Sequence, residues 1–290
     1  MAIVDSARSA WIVLGCLVEP GNRELGVATA KDGPIRAVES MLGGQLGVRL
    51  HGSALSRLRA EPPQRIATAA IEHAERLGAR IVTPEDADWP ARLADLARIS
   101  RDDPRRIDRD TYPPTCLWVR GAWPVAEAFS RSVAVVGARA ATSYGEHVAT
   151  EIGYGLAERG WTVVSGGAFG IDAAAHRGAL AAAGLTVAVL ACGIDRPYPL
   201  GHASLFERIS DEGLLISEWP PGAEPHRHRF LVRNRVIAAA TRGTVVVEAA
   251  ARSGAAQTLR RAAQLNRVAM AVPGPVTSAM SVGCHEALRT

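Results

Sequence analysis

Six apolar runs of one kind recur in the second half of the chain, about every 25 to 30 residues. They are VAVVG from Val133, WTVVSGG from Trp161, LTVAVLACG from Leu185, GLLISEW from Gly213, GTVVVEA from Gly243 and VAMAVPG from Val268. Helically patterned stretches separate several of them: GEHVATEIGYGLAERG (145–160), IDAAAHRGALAAAG (171–184) and AAQTLRRAAQLN (255–266). A strand that is apolar along its whole length must be covered on both faces, and intervening helices supply that cover. The pattern therefore predicts an α/β fold, a Rossmann-like doubly wound and mostly parallel sheet, over residues 66–290. Crossovers are expected right-handed, and ligands beyond the carboxyl ends of the strands.

The first part of the chain has a different grain. SARSAWIVLGCLV (6–18), IRAVESML (35–42) and SALSRLRA (53–60) are short helical pieces set apart by EPGN, KDGP and LGG. They predict a small helical domain over 1–65, with Glu61-Pro62-Pro63 as linker. A helix ATAAIEHAERLG and strands RIVT and CLWVRG follow, with the polar, Pro-broken stretch 98–115 expected as a long loop. The apolar patch near the N-terminus follows Asp5 and has no small-residue cleavage site, which predicts a core helix and not a signal peptide. No run reaches the roughly 18 apolar residues of a membrane span. Cys16, Cys116, Cys192 and Cys284 are widely spaced with no CxxC, so neither disulfides nor a metal site is expected. The protein is expected to be cytoplasmic, without membrane association and without a cofactor.

Charge narrows the function. The formal net charge is +4; residues 1–130 carry 17 basic and 17 acidic side chains, so the surplus lies entirely in 131–290. Lys31 is the only lysine, and its surroundings, TAKDG, are not a phosphate-loop sequence. Kinase-type and Schiff-base chemistry are thereby excluded, and the placement of arginine carries the functional signal.

Four strand ends carry loops with chemistry. In VAVVGARAATSYG (133–145), Gly137 allows a tight turn into a helix whose N-terminus can face an anion, and Arg139 stands inside the turn. In VVSGGAFGIDAAAHRGAL (163–180), Ser165, Gly166, Gly167, Phe169 and Gly170 form a loop in which glycines would let a phosphate or sugar approach the backbone. Asp172 fits a helix cap, and His176 fits a packed helix residue as well as a ligand contact. In LACGIDRPYP (190–199), Asp195 suits either a ribose hydroxyl or a turn cap. In GTVVVEAAARSGAAQTL (243–259), Glu248 is followed by Ser253 and Gly254. The most pointed feature is RHRFLVRNRVIAAAT from Arg227. Four of its first nine residues are arginines, at 227, 229, 233 and 235, around the single aromatic Phe230. If this segment begins a helix beside the glycine loops, the arginines add cations to their rim, and Phe230 offers a ring on which a base can stack. Tracking charge beside an aromatic platform is how proteins hold single-stranded nucleic acid. The hydrolytic motifs GxSxG and HExxH do not occur.

Taken in order, VVGARAATSYG, SGGAFGIDAAAHRGAL, CGIDRPYP, LLISEWPPG, FLVRNRVIAAAT, VVVEAAARSGAAQT and AVPGPVTSAMSVGCHEAL resemble the DNA-processing protein A family (DprA, also called Smf), over about residues 130–290. The resemblance implies a Rossmann-like core behind a SAM-like helical domain. It implies single-stranded DNA binding, homodimerisation, and loading of the recombinase RecA onto incoming DNA in natural transformation. By position, Arg139 would be a DNA contact. Arg227, Phe230, Arg233, Asn234 and Arg235 would match the basic-aromatic segment, with Phe230 close to a base. Phe169 stands where many members carry a basic residue, and His202 where an asparagine is frequent. The winged-helix domain that many members carry C-terminally is expected to be absent from this chain, which runs to Thr290. The alternatives are an enzyme that cleaves nucleoside monophosphates or another nucleotide-binding Rossmann protein. LOG-type phosphoribohydrolases share such a core, but their GGxGTxxE loop corresponds here to TRGTVVVEA, with Glu248 one residue late.

Overall fold

A computed structural model describes residues 4–52, 54–99 and 111–289. The N-terminal helices are α1 (Ala7–Leu17), α2 (Arg23–Leu42), α3 (Ala54–Ala60) and α4 (Pro63–Arg76). Ser6 caps α1 by accepting the Ser9 N–H, and Asn22 caps α2 by accepting that of Leu25. Within α2, Gly33 adopts φ +79°, a left-handed conformation that breaks the helix just before Pro34. The Pro62-Pro63 pair is not a free linker. Pro62 caps α4 and Pro63 occupies its first turn, where a missing N–H costs nothing.

The chain then alternates: β1 (Ala79–Val82), α5 (Leu96–Ile99), β2 (Leu117–Arg120), α6 (Val125–Ser130), β3 (Ser132–Gly137), α7 (Ser143–Glu158), β4 (Thr162–Ser165) and α8 (Ile171–Ala181). It continues with β5 (Thr186–Leu190), α9 (Ala203–Glu212), β6 (Leu214–Ser217), α10 (Arg227–Ala240), β7 (Gly243–Val247), α11 (Gly254–Gln264), β8 (Val268–Ala271) and α12 (Val282–Leu288). The larger part of the expected loop 98–115 falls outside the described residues.

The eight strands among the described residues form one sheet in the order β1-β2-β6-β5-β4-β3-β7-β8. The pairs from β6 through β8 are parallel, whereas β1–β2 and β2–β6 are antiparallel. Side chains alternate between faces as the pleat requires. Val133 and Val135 meet α7 and α8, while Ala134 and Val136 face the cluster built on α10 and α11. Each fully buried valine or leucine contributes about 1.5–3 kcal/mol, so a strand with both faces covered is the most strongly specified kind of segment here. This is the doubly wound α/β architecture that the six apolar runs predicted.

The N-terminal helices dock on one side of the sheet. Ile12, Leu14, Leu17 and Val38 share a core with Trp118 of β2 and Phe206 of α9. Glu19, just after α1, fastens this layer to the rest. Its carboxylate accepts from Trp219 Nε1 at 3.0 Å and from the Arg229 guanidinium at 2.5 Å, and lies 3.0 Å from His51 Nδ1. Burial alone would raise the pKa of Glu19, but these partners outweigh it and hold the carboxyl well below the usual range.

Candidate nucleic-acid interface

Successive strands β3, β4, β5 and β6 step outward in one direction, and β7 then returns to the other side of β3. The crevice between β3 and β7 is therefore the topological switch point, where open α/β sheets bind ligands. A cleft of about 780 Å³ opens there, walled by the loop after β3, the first turns of α10, and the loop leading into α11.

Gly137 ends β3 where any side chain would run into the Val247 carbonyl and Ile171, so the glycine permits the β3 and β7 loops to approach. Arg139 follows, exposed at the mouth. Its guanidinium carbon lies 4.8 Å from the centre of the Phe230 ring, a cation–π contact that closes one face of that ring. Gly170 (φ +72°) caps α8, and a side chain there would strike the backbone carbonyls of Ala138 and Arg139. Its role is to hold the Arg139 turn from behind. Ser253 caps α11 by accepting the Ala256 N–H, and with Gly254 it forms the far wall.

The Ser165–Gly167 loop does not meet the expectation of an open anion cradle. Ser165 is fully buried and donates its hydroxyl to the Val135 carbonyl. The N–H groups of Gly166 and Ala168 both donate to Asp172 Oδ2, so they are already satisfied from within. A side chain on Gly166 would collide with the Arg233 guanidinium, and one on Gly167 with the Phe206 ring. These glycines make room for protein groups, not for a phosphate. Asp172 is the cap that its position suggested; burial holds its carboxyl above the ordinary range, against the opposing influence of Arg233. His176 is a core residue, fully buried with Nδ1 2.7 Å from Thr186 Oγ1, and burial pushes its pKa down to about 3. His202 is likewise buried, with Nδ1 3.0 Å from the Gly167 carbonyl oxygen. Asp195 accepts the Gly222 N–H at 2.8 Å and caps a turn.

The arginines of α10 separate into two groups, which corrects the expectation of a four-cation rim. Arg227 is exposed on the cleft wall. Arg229, Arg233 and Arg235 are buried. Arg229 donates to Glu19 and to the Glu224 carbonyl. Arg235, wholly buried, donates both terminal nitrogens to Glu218 (2.5 and 2.7 Å) and its Nε to the Tyr112 carbonyl. It lies outside the cleft and serves the fold. Arg233 reaches the cleft floor but donates to the carbonyls of Gly166 and Val189 and to Asn234 Oδ1. Burial lowers its pKa to about 10, partly offset by Asp172. Asn234 Nδ2 lies 3.5 Å from the Gly254 carbonyl. Arg233 and Asn234 thus tie the ends of β4 and β5 and the α11 loop together beneath the cleft.

Two cleft residues went unrecognised in the sequence. Arg252, exposed on the loop before α11, adds a third open cation to Arg139 and Arg227. Its adjacency to Ser253 and Gly254 was a usable signal. Tyr198, 44% exposed, has its ring centre 5.9 Å from that of Phe230.

A sequence model of the family described as DNA recombination-mediator protein A matches residues 80–290. The chain belongs to this family. Its function is therefore DNA processing in recombination, the class the ordered motifs implied. A Mycobacterium tuberculosis (strain H37Rv) protein bearing the DprA name is 46% identical over 99% of this chain and 72% of its own length. The X-ray structure of DNA processing protein A from Streptococcus pneumoniae superimposes with a TM-score of 0.67 at 26% identity, covering 99% of this chain and 89% of that one. The DNA processing protein A of Helicobacter pylori, whose structure is reported for its single-stranded DNA binding mode, superimposes with a TM-score of 0.59 at 26% identity, over 72% of this chain and 87% of that one. Among the described residues, no helix is long and apolar enough to cross a membrane.

Proposed function

We propose that the switch-point cleft binds single-stranded DNA as the working step of a recombination mediator. The observation that carries this is the rim: three exposed arginines, Arg139, Arg227 and Arg252, surround the half-exposed ring of Phe230. Cations suit the phosphate chain and the aromatic group suits an unpaired base. Gly137, Gly170, Ser253 and Gly254 shape the walls, Phe169 stands on the adjoining loop after β4, and Arg233 and Asn234 brace the floor. Ser165, Gly166, Gly167 and Arg235 support from behind. The binding mode reported for the H. pylori relative supports the choice of strand. In the same reading the protein is a non-catalytic, cytoplasmic homodimer. It protects incoming single strands and hands them to RecA in natural transformation, with residues 1–65 as a helical domain docked on the Rossmann-like unit 66–290.

The phosphoribohydrolase alternative meets a structural obstacle. Glu248, which would have to be its catalytic carboxylate, is buried and accepts from the Thr142 N–H at 2.8 Å and hydroxyl at 2.5 Å. That carboxylate anchors the N-terminus of α7.

Titration of a fluorescent dT oligomer at several salt concentrations tests the proposal. With each phosphate contact contributing about −0.7, three open arginines predict a slope of log K against log salt near −2. Binding that ignores salt would contradict it.

A further inference from the structure

The proposed cleft has its most open aromatic ring somewhere other than Phe230. Phe230 is half-buried, Arg139 covers one of its faces, and it packs against a small cluster of Ala191, Trp219 and Val232. Tyr198, on the cleft wall after β5, is 44% exposed. Its ring is inclined at 60° to that of Phe230. A base cannot enter between the two. Sandwiching one takes about 7 Å, from two carbon contacts of roughly 3.5–4.0 Å, and the centres are 5.9 Å apart. Each ring therefore presents only its outer surface.

Beyond Tyr198 the same turn leads to a third ring. Leu200–His202 form a 3-10 turn, and Phe169 rests on it, its ring centre 4.4 Å from that of His202 in an edge-on contact. A side chain at Gly201 would come within 3.2 Å of Phe169 Cζ, so the glycine leaves the space the ring occupies. Phe169 nonetheless remains 50% exposed. The chain has only four phenylalanines and four tyrosines. Three of these eight stand on neighbouring pieces of chain: Phe230 on α10 and Tyr198 on the loop after β5, both lining the cleft, and Phe169 on the loop after β4, against the turn that follows Tyr198.

We propose that Tyr198 and Phe169 are base-stacking platforms that extend the single-strand site past Phe230, so that consecutive unpaired bases stack outward from the cleft across the β5 turn. This rests on the single-strand reading of the cleft. Aromatic stacking is tolerant of sequence, because every base has a π-face, and it requires unpaired bases. The extension therefore favours a single strand of several nucleotides over either a duplex or a mononucleotide.

The test is a length series of dT oligomers, from three to about fifteen nucleotides, bound to the wild type and to Tyr198→Ala, Tyr198→Phe, Phe169→Ala and Phe169→Leu. Tyr198→Ala should weaken the longer oligomers by roughly 5- to 150-fold and leave the salt slope unchanged, while Tyr198→Phe, which keeps the ring, stays within about twofold. Phe169→Ala and Phe169→Leu should both lose affinity, only for oligomers long enough to reach beyond Tyr198. The leucine variant keeps apolar cover on His202, so equal losses in both would locate the effect in the ring. Thermal midpoints check that all variants are folded. If the wild type binds no single strand, the single-strand reading falls, and this extension with it. If it binds and the alanine variants match it at every length, only the extension is wrong.

Discussion

Arg235→Ala is expected to cost about 3–5 kcal/mol of folding stability, although Arg235 looks in the sequence like one more DNA-facing arginine. The substitution would leave the Glu218 carboxylate buried without its partner, and breaking one side of a buried ion pair is costly for that reason. The pair is closed on every side. Both side chains are at most 2% exposed, both terminal nitrogens are used, and Nε is held by the Tyr112 carbonyl. For a domain with a total stability of roughly 5–15 kcal/mol, such a loss removes a large share of the margin against unfolding. The urea midpoint of Arg235→Ala measures it. The double variant Arg235→Met with Glu218→Leu should recover much of the loss, since apolar groups of similar volume need no partner. A stable Arg235→Ala protein that had lost DNA affinity would place Arg235 in the interface and overturn the assignment.

The second large effect concerns Arg139 and Phe230 together. Arg139→Ala should leave folding intact, since the side chain is exposed, and make the salt slope shallower by about 0.7. Phe230→Ala should weaken single-strand binding by about 1–3 kcal/mol, the range for a lost stacking ring. The sequence alone suggests that an uncharged ring leaves the salt slope untouched. The structure alters this expectation, because the Arg139 guanidinium rests on the Phe230 face. Without the ring, Arg139 loses the surface that orients it. The two losses should then fall short of adding by about 0.5–1 kcal/mol, the size of an exposed cation–π contact. A four-protein cycle of wild type, both single variants and the double variant reads this out. Strict additivity would show that the contact does no work in binding.

The sheet could be read from the sequence because its determinants are local. Strands β3 to β7 are mostly apolar, buried almost throughout and separated by helices, which leaves few alternatives to a doubly wound layer. Tight turns were equally readable: Gly137 and Gly170 stand where backbones must approach. The roles of the arginines were not readable, because charge along the chain does not reveal a partner far away in it. Arg229 meets Glu19 across 210 residues, and Arg235 meets the Tyr112 carbonyl across 123. Three of the four arginines around Phe230 proved to be buried fasteners. The Ser165–Gly167 loop misled for a related reason. Glycines that admit an incoming phosphate and glycines that admit a guanidinium or a phenyl ring look alike in sequence. Arg252 was missed because it stands alone, outside any cluster of like charges.

Direct competition between a single strand and a blunt duplex of the same sequence, at one fixed salt concentration, separates a site built for unpaired bases from a general DNA-binding surface. The cleft combines three open cations with exposed rings. The cations alone would serve either form of DNA, whereas the rings can stack only on unpaired bases. Clear preference for the single strand is expected, lost in large part when Phe230 is replaced by alanine. Equal or tighter binding of the duplex by the wild-type protein would contradict it.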